Sequence, residues 1–502
     1  MFEAAELGHV VAPQRYDRVL PRLRARLLDL HLALRSQKFP VIVIVSGADG
    51  AGKGELVQRL NEWLDPRGVN THAFWAPSDE ERERPDFWRF WRAMPGRGRI
   101  GIFFGSWYSQ PIISRVFGEI KKTQLDAALE RIAAFERMLT DDGALILKLW
   151  LHLPKKEQKK RLKRLEKDGR LAPDDWKHFK LYDKFTEVSA QTIRHTDKPR
   201  APWHVIEATD RRYRELTTAE LLIEALEKKF KTVAAKATEA KPAARPVVTT
   251  ETVAPAKPTE RRKARADSIL AGVDLTQRLT DAEYKRQLEV QQTKLSKLAW
   301  AAQQKGVSTV LAFEGWDAAG KGSAIRRVTQ AMDPRLYRVI GIAAPTDEER
   351  AQHYLWRFWR HLPRAGFTTI FDRTWYGRVL VERVEGFAKP DEWGRAYDEI
   401  NAFEEQLVAR GSVLCKFWVH LSPQEQLRRF KERQAIAYKR YKITDEDWRN
   451  REKWPDYHAV VDDMVKRCST EFAPWTLVAG NDKKFARVQI LKTIVQRLDD
   501  AL

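Results

Sequence analysis

Cysteine is nearly missing from this chain of 502 residues, with Cys415 and Cys468 the only two. Two thiols build neither a disulfide framework nor a metal-ligand cluster, and their scarcity suits a reducing compartment. Long apolar runs are missing too. The longest uninterrupted aliphatic stretch, Val41 to Val45, falls far short of a membrane span. The N-terminus carries Glu3 and Glu6 and lacks the basic and apolar regions of a secretory signal. A cytoplasmic protein with no membrane partner is expected. Negative charge is the third shortage: 69 acidic against 90 basic residues leave a formal net charge of +21. A bias that large points to a polyanionic partner. Zinc-finger, RNA-recognition and leucine-zipper signatures are absent, so nucleic acid has no motif to support it and the polyanion stays open at this point.

What the chain does have is the stretch Gly315 to Gly322, GWDAAGKG, after the apolar run Val307 to Phe313. A strand that enters a Gly-rich turn and then opens a helix aims backbone N–H groups, a helix dipole and one lysine at a single spot suited to phosphate. The GxxxxGK spacing makes Gly315 and Gly320 the turn residues and Lys321 the group that reaches the outer phosphates. Where Ser or Thr usually follows the lysine to ligate Mg²⁺, this chain has Gly322. Asp317 inside the loop offers a carboxylate instead, as a metal ligand or catalytic group.

The same loop occurs earlier, as GADGAGKG from Gly47 to Gly54 after the strand Val41 to Val45. The offset of 268 also carries Asp65 onto Asp333, Trp88 onto Trp356, Trp107 onto Trp375, Phe135 onto Phe403 and Lys148 onto Lys416. A constant offset over so long a stretch identifies a tandem duplication. In the second copy, strands are predicted near Val307–Phe313, Leu336–Ile342, Thr368–Phe371, Val413–His420 and Trp475–Ala479, separated by helix-length segments. This alternation predicts an α/β fold of two similar domains. Each has a parallel sheet of about five strands, helices on both faces and ligands beyond the carboxyl ends of the strands. Residues 1–230 form the first domain and 266–502 the second. The Ala/Pro/Lys-rich residues 231–265 form a flexible tether. Pro13 to Pro40 is read as an amphipathic helix covering the first sheet.

Candidate chemistry gathers in the second copy. Asp372 ends an apolar strand at the distance expected of a Walker B carboxylate that holds Mg²⁺, although taken alone it could cap a turn. Arg373 and Arg378 follow it within reach of a transferring phosphoryl group. A basic segment after the fourth strand contains Arg429 and Arg433 on one helix face, then Lys439, Arg440 and Lys442. It occupies the place of a lid, at about 426–470, that closes over phosphates and excludes water. The aromatic trio Trp356, Phe358 and Trp359 is read as core, and His152 and His420 as structural. At offset 268 the first copy has Phe104 for Asp372, Gly105 for Arg373, Gln110 for Arg378 and Leu165 for Arg433. Phenylalanine cannot hold Mg²⁺, so the first copy is expected to be a degenerate partner.

The motifs GWDAAGKG, PTDEER from Pro345, FDRTWYGRVLVERV from Phe371, KFWVHLS from Lys416 and APW at Ala473 together resemble the polyphosphate kinase 2 family, over nearly all of the chain except the tether. The two-copy arrangement is similar to the family's fused-domain members, which implies a P-loop kinase-like fold with a helical lid in each domain. The resemblance implies transfer of the terminal phosphoryl group of inorganic polyphosphate to AMP, giving ADP, with Mg²⁺ on Asp317 and Asp372. It also implies that polyphosphate is the polyanion and AMP/ADP the other partner. Lys321, Arg373, Arg378, Arg429 and Arg433 are then the expected catalytic cations. Gly315, Gly320, Lys321, Gly322, Lys439 and Lys442 are the expected phosphate cradle. Transfer to ADP or GDP, an ATP-dependent kinase and a non-catalytic polyphosphate-binding protein remain open on the residues alone. A homo-oligomer is also possible.

Overall fold

The computed structural model describes residues 1–169, 174–239, 268–435, 443 and 445–502. These form two compact units. One takes Met1–Pro77, the first-copy residues from Arg89 onward and Thr346–His353. The other takes Ser78–Trp88, the second-copy residues up to Pro345 and Tyr354–Leu502.

In the first unit the strands are β1 (Val41–Gly47), β2 (Val69–Ala73), β3 (Ile100–Phe104), β4 (Leu145–His152) and β5 (Trp203–Glu207). They form one sheet in the order β2-β3-β1-β4-β5, with every pair parallel. The expected helix from Pro13 stops at Leu34, ahead of Pro40, and packs along the helix Arg211–Glu239. That second helix runs past Lys231 into the stretch read as tether. The run KTVAAKATE is rich in Ala, Lys and Glu, which favour helix. Residues 240–265 of the expected tether lie outside the described residues.

The second unit repeats the plan with β6 (Thr309–Gly315), β7 (Tyr337–Gly341), β8 (Thr368–Asp372), β9 (Val413–His420) and β10 (Trp475–Ala479), all parallel, in the order β10-β9-β6-β8-β7. All five predicted strands are present within two residues of their expected ends. The central strand β6 is buried along nearly its whole length. This is why it reads as a continuous apolar run rather than an alternating one. The helix Asp281–Lys305 begins at a capping box in which Glu283 N–H donates to the Thr280 hydroxyl. It packs along Lys483–Ala501, which lies against β9 and β10, while Pro390–Ala409 packs on β9. Trp356, Phe358 and Trp359 are all buried, as expected.

Candidate active site

The phosphate loop is shaped by steric limits at its two ends. Gly315 has φ +148°, and a Cβ there would stand 2.6 Å from the carbonyl oxygen of Val419 on the neighbouring strand. Gly320, at φ +108°, caps the helix Lys321–Thr329. Both positions call for glycine. Lys321 Nζ donates to the carbonyls of Gly315 at 2.6 Å and Trp316 at 3.3 Å, resting on its own loop.

Strand register brings Asp372 to this loop. Phe313 of β6 pairs with Asp372 of β8, and a Cβ on Gly322 would lie 4.0 Å from Asp372 Oδ2. The missing Ser or Thr therefore leaves room beside the carboxylate. Next to it, Arg373 takes the left-handed conformation, φ 66°, its N–H donating to Phe313 O. Its guanidinium reaches Asp317 Oδ1 at 3.6 Å. Burial weakens the charge on Arg373. The carboxylates of Asp317, Glu314, Glu446 and Asp372 more than offset this and raise its pKa. One cation thus senses both carboxylates read from the sequence.

Asp317 is held from the helices after β9 as well. Asn450 Nδ2 donates to its Oδ2 at 3.0 Å, and Gln426 Nε2 donates to its backbone carbonyl at 3.1 Å. Trp316 stacks on Trp454 and donates its indole N–H to His420 Nδ1 at 3.1 Å.

Arg429 faces the loop backbone. It is 2% exposed, and its Nη1 donates to Ala318 O and Ala319 O at 3.0 and 2.9 Å. Its Nη2 donates to Gly480 O and Asn481 O at 2.7 and 3.0 Å, and its Nε to Glu425 at 2.7 Å. These contacts pin the loop to the end of β10. Arg433 lies one turn further along the helix Pro423–Ala435 and is half-buried. Arg378 pairs with Glu382 at 3.2 Å and lies 4.5 Å from the centre of the Tyr354 ring. Lys439 and Lys442 lie outside the described residues.

Several groups escaped sequence reasoning. Glu314, buried under the loop, accepts from Thr374 N–H at 2.7 Å and Thr374 Oγ1 at 2.8 Å. This fixes the turn that presents Arg373. Burial raises its pKa, against the pull of Lys321. A carboxylate closing an apolar strand was the available signal, since the first copy has Ser46 there. Glu385 gathers residues 449–457, accepting from Lys453 Nζ at 2.8 Å and Tyr457 OH at 3.4 Å, with Arg449 Nε at 3.7 Å. Beneath the site, Glu404 accepts from Trp375 Nε1, Tyr376 OH and Lys416 Nζ at 3.0, 2.7 and 2.6 Å, and Lys416 also donates to Cys468 O. This network holds the segment that follows Asp372. The first copy repeats it with Glu136, Trp107, Tyr108 and Lys148.

Among the described residues, no group of three or more His, Cys, Asp or Glu side chains is arranged to hold a metal ion. For that role the sequence offers the pair Asp317 and Asp372. Magnesium is commonly held this way, by one or two carboxylates with substrate phosphates and water completing its shell.

The first copy's loop is closed upon itself. Lys53 Nζ donates to Gly47 O at 2.7 Å and to Asp49 Oδ1 at 3.0 Å, and His178 Nδ1 lies 2.8 Å from Asp49 Oδ2. Burial opposes ionisation of Asp49, yet Lys53 and His178 together hold its carboxyl well below the usual range. Phe104 stands where Asp372 does in the second copy.

Comparison with known proteins gives the family. The family model for polyphosphate kinase 2 matches residues 11–234 and again 278–502. A polyphosphate:AMP phosphotransferase of Pseudomonas aeruginosa is 50% identical, the match covering 100% of this chain and 99% of that one. One from Acinetobacter johnsonii is 38% identical over 91% of this chain and 90% of its own. A crystal structure from Pseudomonas aeruginosa, described as a polyphosphate kinase 2, superposes with a TM-score of 0.88 at 49% identity, covering 100% of this chain and 99% of that one.

Proposed function

Because this chain belongs to the polyphosphate kinase 2 family, we propose that it transfers the terminal phosphoryl group of inorganic polyphosphate to AMP, yielding ADP. An oxygen of the AMP α-phosphate forms the new bond to the terminal phosphorus. The bridging P–O bond to the next phosphate breaks, and the polymer leaves one unit shorter.

The observation that carries this reading is the juxtaposition of Arg373 with Asp317 at the mouth of a loop whose Gly322 abuts Asp372. Phosphoryl transfer asks a protein for little beyond positioning and charge stabilisation. Lys321 is poised to exchange its loop carbonyls for phosphate oxygens. Arg373, fixed through Thr374 and Glu314, faces charge that spreads over the transferring group. Arg429 acts one step removed, by holding the loop in shape. Asp317 and Asp372 are the residues that would hold Mg²⁺, which when bound neutralises the reacting phosphates. The excess of basic side chains attracts the polymer, and the buried, unpaired Cys415 and Cys468 fit a cytoplasmic setting.

The test is AMP and polyphosphate supplied without ATP, with nucleotide products separated by chromatography. ADP should appear with the wild type and fall below detection with Asp372→Ala and with Lys321→Ala, both of which keep the wild-type circular dichroism. ADP formed at wild-type rates by either variant would remove the mechanism. A requirement for ATP would remove the substrate assignment.

A further inference from the structure

The helix Lys155–Lys167 of the first copy follows β4 just as Pro423–Ala435 follows β9 in the second, and the two share their inner face. Gln158 Nε2 donates to Asp49 O at 3.0 Å, as Gln426 does to Asp317 O at 3.1 Å. Arg161 donates to Gly50 O and Thr209 O, as Arg429 donates to its own loop. With Leu162 buried as well, the helix is anchored on one side against the closed loop.

The outer faces differ. Lys155–Lys167 carries eight basic and two acidic residues, net +6, against four and two, net +2, in Pro423–Ala435. Lys156, Lys159, Lys163 and Lys167 are spaced three, four and four apart, so they form one stripe along the helix, about 16 Å long. All four are exposed, and among the described residues none pairs with a carboxylate. At offset 268 the second copy has Gln424, Leu427, Lys431 and Ala435, so three of the four charges belong to the first copy alone. Like charges three and four apart weaken a helix. A polyanion laid along the stripe relieves that repulsion.

We propose that the helix Lys155–Lys167 is a docking track for the body of a long polyphosphate chain, separate from the transfer site and carried by the copy that has Phe104 in place of a metal-binding aspartate. The proposal rests on the polyphosphate reading above. Charge complementarity selects a flexible polyanion, and polyphosphate is the one that the active copy consumes. Unstacked, base-free and singly charged at every unit, it asks for lysines as point charges. The aromatic platforms that single-stranded nucleic acid uses are missing from the stripe.

The test uses the full chain with Lys156, Lys159, Lys163 and Lys167 all changed to Gln, and a second variant with all four changed to Arg. KM is measured at saturating AMP for long-chain polyphosphate and for a short linear oligophosphate too short to reach past the transfer site. For the Gln variant, KM for the long chain should rise about ten-fold and become less sensitive to salt, in line with the loss of four phosphate contacts. Its kcat and its KM for the short chain should stay at wild-type values, and the Arg variant should match the wild type throughout. An unchanged long-chain KM, or one that rises equally for both lengths, overturns the track. So does loss of retention on single-stranded RNA with polyphosphate kinetics intact, which would assign the stripe to RNA. A wild type that makes no ADP from AMP and either polyphosphate overturns the underlying reading instead.

Discussion

The indole of Trp454 lies flat on that of Trp316, ring centroids 3.7 Å apart and planes 10° from parallel. Trp316 belongs to the phosphate loop and Trp454 opens the helix Trp454–Cys468. The stack therefore ties the loop to that helix, with Asn450 on Asp317 as a second tie. Trp454→Ala should lower kcat about ten-fold and cost about 1–2 kcal/mol of stability, the order of an aromatic pair with its burial. Trp454→Phe keeps a ring in place and should retain most activity. Steady-state kinetics and urea denaturation of the two variants check this, and a full-speed alanine variant would uncouple the stack from catalysis.

Arg429 and its counterpart Arg161 offer a comparison inside one molecule. Both donate to the carbonyls of a phosphate loop, but only one loop stands beside an aspartate such as Asp372. Lysine cannot reproduce the planar fork that joins Ala318 and Ala319 to Gly480 and Asn481. Arg429→Lys should therefore lower kcat/KM about a hundred-fold, close to 2.7 kcal/mol of transition-state stabilisation. Arg161→Lys should lower the unfolding midpoint while leaving kcat/KM alone. Equal kinetic losses in the two variants would show that the first copy also turns over substrate.

The architecture was legible because duplication shows itself twice: a constant offset needs no structure to be seen, and a strand buried on both faces is apolar throughout. The meeting of Asp372 with the loop Gly315–Gly322 was legible because strand, turn and helix follow one another in order. Arg429 was legible as a cation on the right helix but was assigned the wrong neighbour. Spacing gives the face on which a side chain stands, while the partner of that face comes from packing. Glu385, Asn450 and Trp454 were missed for a related reason. Asn450 meets Asp317 across 133 residues of chain, a pairing that no local pattern encodes. The helix that continues to Glu239 shows the reverse error, where an Ala/Pro/Lys composition read as a tether begins with residues that favour helix.

Restoring one carboxylate to the first copy should not restore its chemistry. Phe104→Asp puts an acid at the end of β3, but Asp49 stays paired with Lys53 and His178, and Gly105 stands where Arg373 is needed. Arg214 also lies against the loop, so close that a Cβ on Gly52 would overlap its guanidinium. In an Asp372→Ala background, Phe104→Asp should leave ADP formation below detection. Measurable turnover by that double variant would mean that the closed loop opens to substrate.

His420 sets a pH window. Burial, with His458 adding repulsion, pushes its pKa down to about 4, and the neutral ring accepts the indole proton of Trp316 at Nδ1. In the unfolded chain it titrates near 6.5. Between those values the unfolded chain binds a proton that the folded chain does not. Stability should therefore fall as pH drops from 6.5 toward 4, with no contribution from this residue to the slope above 6.5. The gap between about 4 and 6.5 corresponds to at most ~3.4 kcal/mol. His420→Asn cannot titrate, and its side-chain oxygen can still accept from Trp316. Urea midpoints measured from pH 7.5 to 4.5 should converge for the two proteins as the pH falls, because only the wild type loses the His420 contribution. Parallel curves would place the acid sensitivity elsewhere in the fold.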